Sequence, residues 1–210
     1  KIVSGPAYMV MADIPLPLGI PFGFFPNTKS YQSGILIPTF GESATKGFSL
    51  SRGGFYWYIN DKMDMTFLGD VYSLGSWGGT VQTNYKVRYK YNGNFMFRYY
   101  DNVYGERGTT SFSESKDFAV SWNHTQDSKA NPTSTFSAHI DYSTSSFDKQ
   151  NSYSQSKAMN NIKRSSVSYS KRWDNFNLSG GMTHSQNSLN KSVNVSFPRL
   201  SLSMNTLYPL

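Results

Sequence analysis

Three histidines, a group of aspartates and a row of basic residues are the side chains here whose types and spacing could do chemistry. His124, His139 and His184 lack the close spacing of a metal site, and the chain has no cysteine to complete one. Surface or lumen positions suit them better than ligation. Asp61, Asp64 and Asp70 fall in INDKMDMTFLGD, which lacks the ligand order and the Glu of a calcium loop, so they read as turn and rim carboxylates. Serine is abundant, but no GxSxG elbow and no identifiable His and Asp pairing would activate one, and no Walker loop or dinucleotide fingerprint occurs. No catalytic residue, metal or cofactor is therefore assigned. The sequons at Asn123, Asn177 and Asn194 fall inside predicted strands and carry no weight in so Ser- and Asn-rich a chain.

Lys86, Arg88, Lys90 and Arg98 remain. In NYKVRYKYNGNFMFRYY the first three alternate with Tyr85, Val87, Tyr89 and Tyr91, so an extended backbone puts charges on one side and rings on the other. Single-stranded nucleic acid would need both on one side, with rings stacking on bases and cations on phosphates. A solvated lumen wall is the better reading. The net charge of +7 adds only that phosphorylated groups suit the chain as partners.

The elements that must position these residues are strands. Only 38% of residues are apolar and the mean hydropathy is −0.50, yet aromatics make up 16%. A few large rings among Ser, Asn, Thr and Gly is how a transmembrane barrel reads, because lipid-facing and lumen-facing residues alternate and the average comes out hydrophilic. No run approaches the roughly 18 apolar residues of a spanning helix. Helices are not expected anywhere. Alternation recurs in Phe118, Val120 and Trp122, in Phe136, Ala138, Ile140 and Tyr142, and in Phe176, Leu178, Gly180 and Met182. Asn92-Gly93 is predicted to make a tight turn and the Asp174-Asn175 region another, whereas Tyr104 to Ser115 and Asp148 to Asn161 read as long loops. Tight turns on one side and long loops on the other belong to a barrel inserted from the periplasm.

Residues 1 to about 30 differ: Pro6, Pro15, Pro17, Pro21 and Pro26 interrupt an apolar run and forbid a long helix or a central strand. A boundary is placed near Tyr31. Beyond it, about ten to twelve strands are expected between residues 33 and 205, forming a tilted antiparallel sheet with Tyr85, Val87, Tyr89, Phe118, Trp122 and Phe136 facing outward. No export signal precedes Lys1 and no aromatic closing strand ends at Leu210, so the chain is expected to be an internal piece of a longer polypeptide.

Two blocks carry a family resemblance. PFGFFPNTKSYQSGILIPTFG, Pro21 to Gly41, is similar to the segment of the LptD family where the periplasmic domain ends and the barrel begins, with its Ser-Gly-apolar-apolar-Ile-Pro block matched by Ser33, Gly34, Ile35, Leu36, Ile37 and Pro38. GGFYWYINDKMDMTFLGDVYSLGSWG, Gly53 to Gly78, resembles that family's second hairpin, and SWNHTQD, Ser121 to Asp127, one of its strand ends. The Tyr- and Asn-rich strands resemble the Bacteroidetes branch. The resemblance implies an all-β chain, with residues 1 to 30 the end of a periplasmic β-jellyroll and linker, and residues 31 to 210 the N-terminal part of an antiparallel transmembrane β-barrel in the outer membrane.

It further implies a translocon for lipopolysaccharide without a chemical step. The head group would pass through the lumen along Lys86, Arg88, Lys90 and Arg98, and the acyl chains through a lateral gate at Pro21, Pro26, Gly34, Ile35 and Pro38. The implied partners are lipopolysaccharide, an LptE-like plug lipoprotein, an LptA-like periplasmic bridge and the barrel assembly machinery. Enterobacterial members carry disulfides between their domains, whereas this chain has no cysteine. A general porin or TonB-dependent receptor is the alternative, and a soluble adhesin sandwich comes third.

Overall fold

The computed structural model describes residues 2–5, 7–11, 14–20, 23–25, 32–105, 108–151, 162–188 and 190–205. The chain divides into two compact units, Lys1–Gln32 and Ser33–Leu210. In the first, β1 (Ile2–Ser4) pairs antiparallel with β4 (Gly23–Phe25), and β2 (Ala7–Met11) with β3 (Ile14–Ile20). Pro15 and Pro17 both lie in β3. A two-stranded ladder leaves one edge of each strand free, so it can hold residues that lack an amide hydrogen.

The second unit is an antiparallel meander. It runs through β5 (Gly34–Leu36), β6 (Thr39–Ser43), β7 (Gly47–Asn60), β8 (Met63–Tyr72), β9 (Trp77–Val87), β10 (Tyr91–Tyr104), β11 (Ser113–Gln126), β12 (Ser134–Ser143), β13 (Ile162–Arg172), β14 (Phe176–Asn187) and β15 (Ser192–Met204). These make one 11-stranded sheet in which β5 and β6 both pair with β7, and every later strand pairs with its neighbours in sequence. The sheet is all-β and barrel-like but open, with β5 and β6 at one edge and β15 at the other. From β7 onward strands run 10 to 14 residues, long enough for a tilted crossing of a bilayer.

The alternation seen in the sequence sorts the two faces. Phe55, Trp57, Phe67, Trp77, Phe95, Tyr142 and Met182 are exposed on one of them. Soluble monomers rarely expose so continuous an apolar surface. Tyr85 and Val87 share this side with Phe118, Trp122 and Phe136, as expected. Aromatic pairs gather towards both strand ends: Trp77 with Tyr99 and Phe118 with Tyr142 at one, and Tyr85, Tyr91, Trp122, His124 and Phe136 at the other. Trp77 and Tyr85 sit at opposite ends of the same strand. At about 3.3 Å per residue that separation is about 26 Å along the strand and about 20 Å across the membrane once tilted, which fits within the band of about 25 Å between the girdles of a membrane barrel.

The connections are asymmetric too. Residues 61–62, 88–90 and 173–175 turn tightly at one end, where only 127–133 is longer, while the connections that contain 108–112 and 144–151 lie at the other. Two local expectations fail. The hairpin turn lies at Arg88–Lys90, not at Asn92-Gly93, because β9 and β10 register Val87 against Tyr91 and Tyr89 takes the left-handed conformation at φ 60°. Tyr89 therefore sits in the turn and not on the outer wall. A short helix also forms, α1 (Phe147–Asn151), inside the longer loop.

Gly93 serves packing instead of turning. It registers against Tyr85, and a Cβ there would meet the Tyr85 Oη at 2.3 Å and the Asn123 carbonyl oxygen at 2.4 Å. Gly78 repeats this on the opposite face, where a Cβ would stand 2.1 Å from the Tyr100 ring. Each glycine is the recess into which a cross-strand tyrosine lies flat. Gly79, with nothing nearer than 3.8 Å, is the natural control. Gly78→Ala and Gly93→Ala should each lower stability by about 1 to 3 kcal/mol, the usual cost of overpacking, and Gly79→Ala by far less, read from urea unfolding in lipid vesicles.

Candidate functional site

The other face is polar and concave. Residues from β7 to β13 converge on one cavity of ≈ 500 Å³, among them Arg52, Asp70, Gln82, Arg98, Ser121, Asp141 and Lys163. Burying charge on a thin wall requires partners, and the carboxylates here have them. Asp70, 2% exposed, accepts the Tyr100 hydroxyl at 2.7 Å and the Arg52 backbone amide at 2.7 Å. Arg52 holds φ 61°, within a register shift between β7 and β8, and this turns its amide towards the carboxylate.

Asp117 is fully buried and takes Asn102 Nδ2 at 3.1 Å, Ser115 Oγ at 2.8 Å, Thr144 Oγ1 at 2.9 Å and the Ser146 hydroxyl. The long loop thereby returns to the sheet. Phe147, the first residue of α1, is completely buried, with its ring 5.9 Å from that of Tyr100 and the Arg98 guanidinium 4.7 Å above it. Lys163 completes the anchorage with Asp148 at 2.6 Å and Asp141 at 3.8 Å.

Lys46, in the turn between β6 and β7, reaches the same network from the far edge. Its ammonium donates to Asn102 Oδ1 at 2.6 Å and lies over the rings of Tyr72 and Tyr104 at 5.1 and 5.7 Å. Hydrogen bonds from β6–β7 to β10 can form only if the intervening sheet curls, so this contact records the curvature.

The residues singled out in the sequence separate into three groups. Arg98 is in the cavity, and Lys86 lies on the same side of β9 as Gln82. Arg88 and Lys90 are exposed in the 88–90 turn, beyond the wall, because the strand ends at Val87. Gly34 and Ile35 pair with Tyr56 and Phe55, and Pro38 interrupts the edge between β5 and β6, packed where a Cβ on Gly53 would come within 2.9 Å of it. Pro21 and Pro26 lie outside the described residues.

Asp70 is a buried acceptor, not a rim carboxylate. His124 joins the outward aromatic cluster, its Nδ1 2.9 Å from Tyr85 Oη. No group of three or more potential metal ligands occurs among the described residues. Sequence reasoning missed Lys46, Asn102, Asp117 and Lys163. The one signal that pointed to Asp117 was a charged residue on the small, polar side of an alternating strand.

A curled antiparallel meander, apolar and ringed by aromatics outside and hydrogen-bonded and charged inside, defines the wall of an outer-membrane β-barrel. The chain belongs to the LptD protein family, whose model matches residues 2–210. It is 31% identical over 93 residues to the LPS-assembly protein LptD of Shewanella frigidimarina (strain NCIMB 400), a match covering 44% of this chain and 12% of that protein. The family consists of outer-membrane transport and assembly proteins, not enzymes.

Burial pulls the Lys46 amine below its ordinary 10.5, and Asp117 and Asp70 oppose that shift only in part. Between its folded-state value and 10.5 the unfolded chain binds the extra proton, so stability rises with pH across that window. Lys46→Met should flatten this rise, measured as the unfolding midpoint in urea at a series of alkaline pH values.

Proposed function

We propose that this chain is part of an outer-membrane translocon that inserts lipopolysaccharide into the outer leaflet. Residues 1–30 end a periplasmic β-jellyroll and residues 31–210 begin the barrel. The single observation that carries the reading is the opposition of a charged concave face to a ring-studded outer face in a chain matched throughout by the LptD family. The phosphorylated head group passes along the concave face, where Lys86 and Arg98 attract it. Charges on the lipid side would cost about 2 to 4 kcal/mol each at the midplane, so these two belong on the wet side. No chemical step is required of the chain. A plug lipoprotein of the LptE kind fills the lumen, a bridge of the LptA kind delivers the lipid, and the barrel assembly machinery inserts the whole.

Lys86→Gln combined with Arg98→Gln should slow the appearance of lipopolysaccharide at the cell surface several-fold while leaving the amount of assembled barrel unchanged. Arg88→Gln with Lys90→Gln, in the turn, should leave the rate as it is. Equal effects of the two pairs would reduce the basic residues to a solvated surface.

The acyl chains leave through the edge formed by Gly34, Ile35 and Pro38, with Pro21 and Pro26 preceding it in the sequence. This edge is thin. β5 offers three paired positions and β6 five, and Pro38 between them has no amide hydrogen to give. An unpaired backbone group in hydrocarbon costs several kcal/mol, so a closing strand gains less here than along an unbroken neighbour and parts at lower cost. Pro26→Ala combined with Pro38→Ala should strengthen the closure and lower delivery, and a disulfide from Ile35 to the closing strand should block it until reduced. Normal delivery by the locked barrel would send the lipid by another route.

A further inference from the structure

The wall between β12 and β14 is creased. β12 and β13 pair in regular register from Ser134 opposite Lys171 to His139 opposite Ser166, and there the ladder stops, although β12 continues to Ser143 and β13 starts at Ile162. Ser165 takes over. Its hydroxyl accepts from the Asp141 amide at 3.0 Å and donates to the Asp141 carbonyl at 3.1 Å. Beyond this point β14 reaches past β13 to β12: Gln186 Nε2 donates to the Ser143 carbonyl at 2.9 Å, and the rings of Tyr142 and His184 lie 6.1 Å apart. β13 is recessed, and the outer face bears a groove of ≈ 360 Å³ between Ile140 and Tyr142 on one side and Met182 and His184 on the other, with Val167 along it.

Towards the long-loop end the groove meets a second hollow, ≈ 270 Å³, that shares Tyr142 and changes character. Ser145, Asn187, Ser188 and Lys191 line it, over a floor of buried Ser143 and of Thr144, whose hydroxyl is already given to Asp117. Lys191 is exposed, and none of the ion pairs among the described residues involves it. Along one line on the wall the surface therefore passes from hydrocarbon, through an aromatic ring and an imidazole, to hydroxyls and a cation.

We propose that groove and hollow together hold one lipopolysaccharide molecule, with an acyl chain lying along Val167 and Met182 and a phosphate of its head group on Lys191 and the neighbouring hydroxyls. The order of the chemistry selects the occupant. An apolar protein segment would use the groove and leave the cationic end empty, whereas a phosphate-bearing lipid uses both and stands in the membrane as the wall does, head towards the long loops. The groove is also continuous with the outer face that meets lipid. Because the long loops face outward from the cell, the lipid bound here is one of the outer leaflet, and lipopolysaccharide is the outer-leaflet lipid on the function proposed above. The site rests on that reading for the lipid's identity but not for any route of export. Its place is on the outside of the wall, away from both the lumen and the edge at β5.

The test uses the full-length protein in phosphatidylcholine vesicles containing a small fraction of purified lipopolysaccharide, with a benzophenone side chain in place of Val193 beside the hollow or, as a control, in place of Phe67 on the distant outer wall. Illumination should attach lipopolysaccharide several-fold more at 193 than at 67. Met182→Trp, which fills the groove, and Lys191→Gln, which removes the cation, should each bring the yield at 193 down to that at 67. Equal labelling at the two positions, or labelling at 193 that neither substitution changes, means bulk lipid only and overturns the site. Complete displacement by an equal fraction of phosphatidylglycerol would overturn the assignment to lipopolysaccharide in favour of any anionic lipid. No export takes place in these vesicles, so a failed lateral edge and a failed binding site give separable results.

Discussion

Hydrocarbon offers a backbone nothing to hydrogen-bond with, and that one deficit organises the sheet. Every amide and carbonyl in the spanning region has to find a partner in an adjacent strand, which is why spanning β-structure closes its edges. A meander in which each strand pairs with its sequence neighbours meets the demand with the shortest connections. Where the ladder nevertheless ends or slips, this chain uses one recurrent device, a serine whose hydroxyl stands in for a whole residue of the opposite strand. Ser33 bonds both the amide and the carbonyl of Tyr58, Ser76 those of Val103, and Ser165 those of Asp141. A hydroxyl both donates and accepts, so it can serve the two groups that a missing strand residue would have served.

With the backbone satisfied, alternation divides the side chains between two solvents, and the wet side then acquires its own constraint. Carboxylates brought together by curvature repel unless donors surround them. Asp117 has four and Asp70 two, drawn from strands and loops far apart in the sequence. These bonds fasten residues 144–146 and the following α1 against the concave face. Satisfying the charges and folding the loop inward are therefore one event, and Phe147 adds apolar burial to it.

The sheet was legible because period-two alternation survives from β7 to β14 and needs no knowledge of register. Register itself was less so. Asn92-Gly93 is the strongest local turn signal in its segment, yet Gly93 belongs to β10 because the flat Tyr85 ring leaves no space for a Cβ opposite it. Moving the turn to Arg88–Lys90 separated two of the four basic residues from the wall. The Lys46, Asn102 and Asp117 network depends on both register and curvature, neither of which a single strand records. Five residues of α1 are too few to show a helical period, and Phe147 in a Ser-rich loop reads as a stray aromatic until the concave face is present to receive it. The division between a jellyroll end and a barrel rests on the family resemblance and on the prolines, not on alternation.

Among the places where the wall falls short of full pairing, two differ chemically. At the crease, Ser165 restores both bonds of Asp141, so the strands can separate in register without leaving a polar group exposed to lipid. At Pro38 the deficit is on the donor itself: proline removes the amide hydrogen, and the adjacent Thr39 hydroxyl is already given to the Ser51 carbonyl of β7 at 3.1 Å. A strand approaching the β5–β6 edge meets three paired residues, an interruption, and five more, with Ser33 acting as a surrogate only beyond the far end of the short piece. The crease is a bend that costs little to keep, and the edge is a closure that gains little from being made. On the lateral exit proposed above, the second kind of weakness belongs at the place where the wall opens, and the first kind elsewhere.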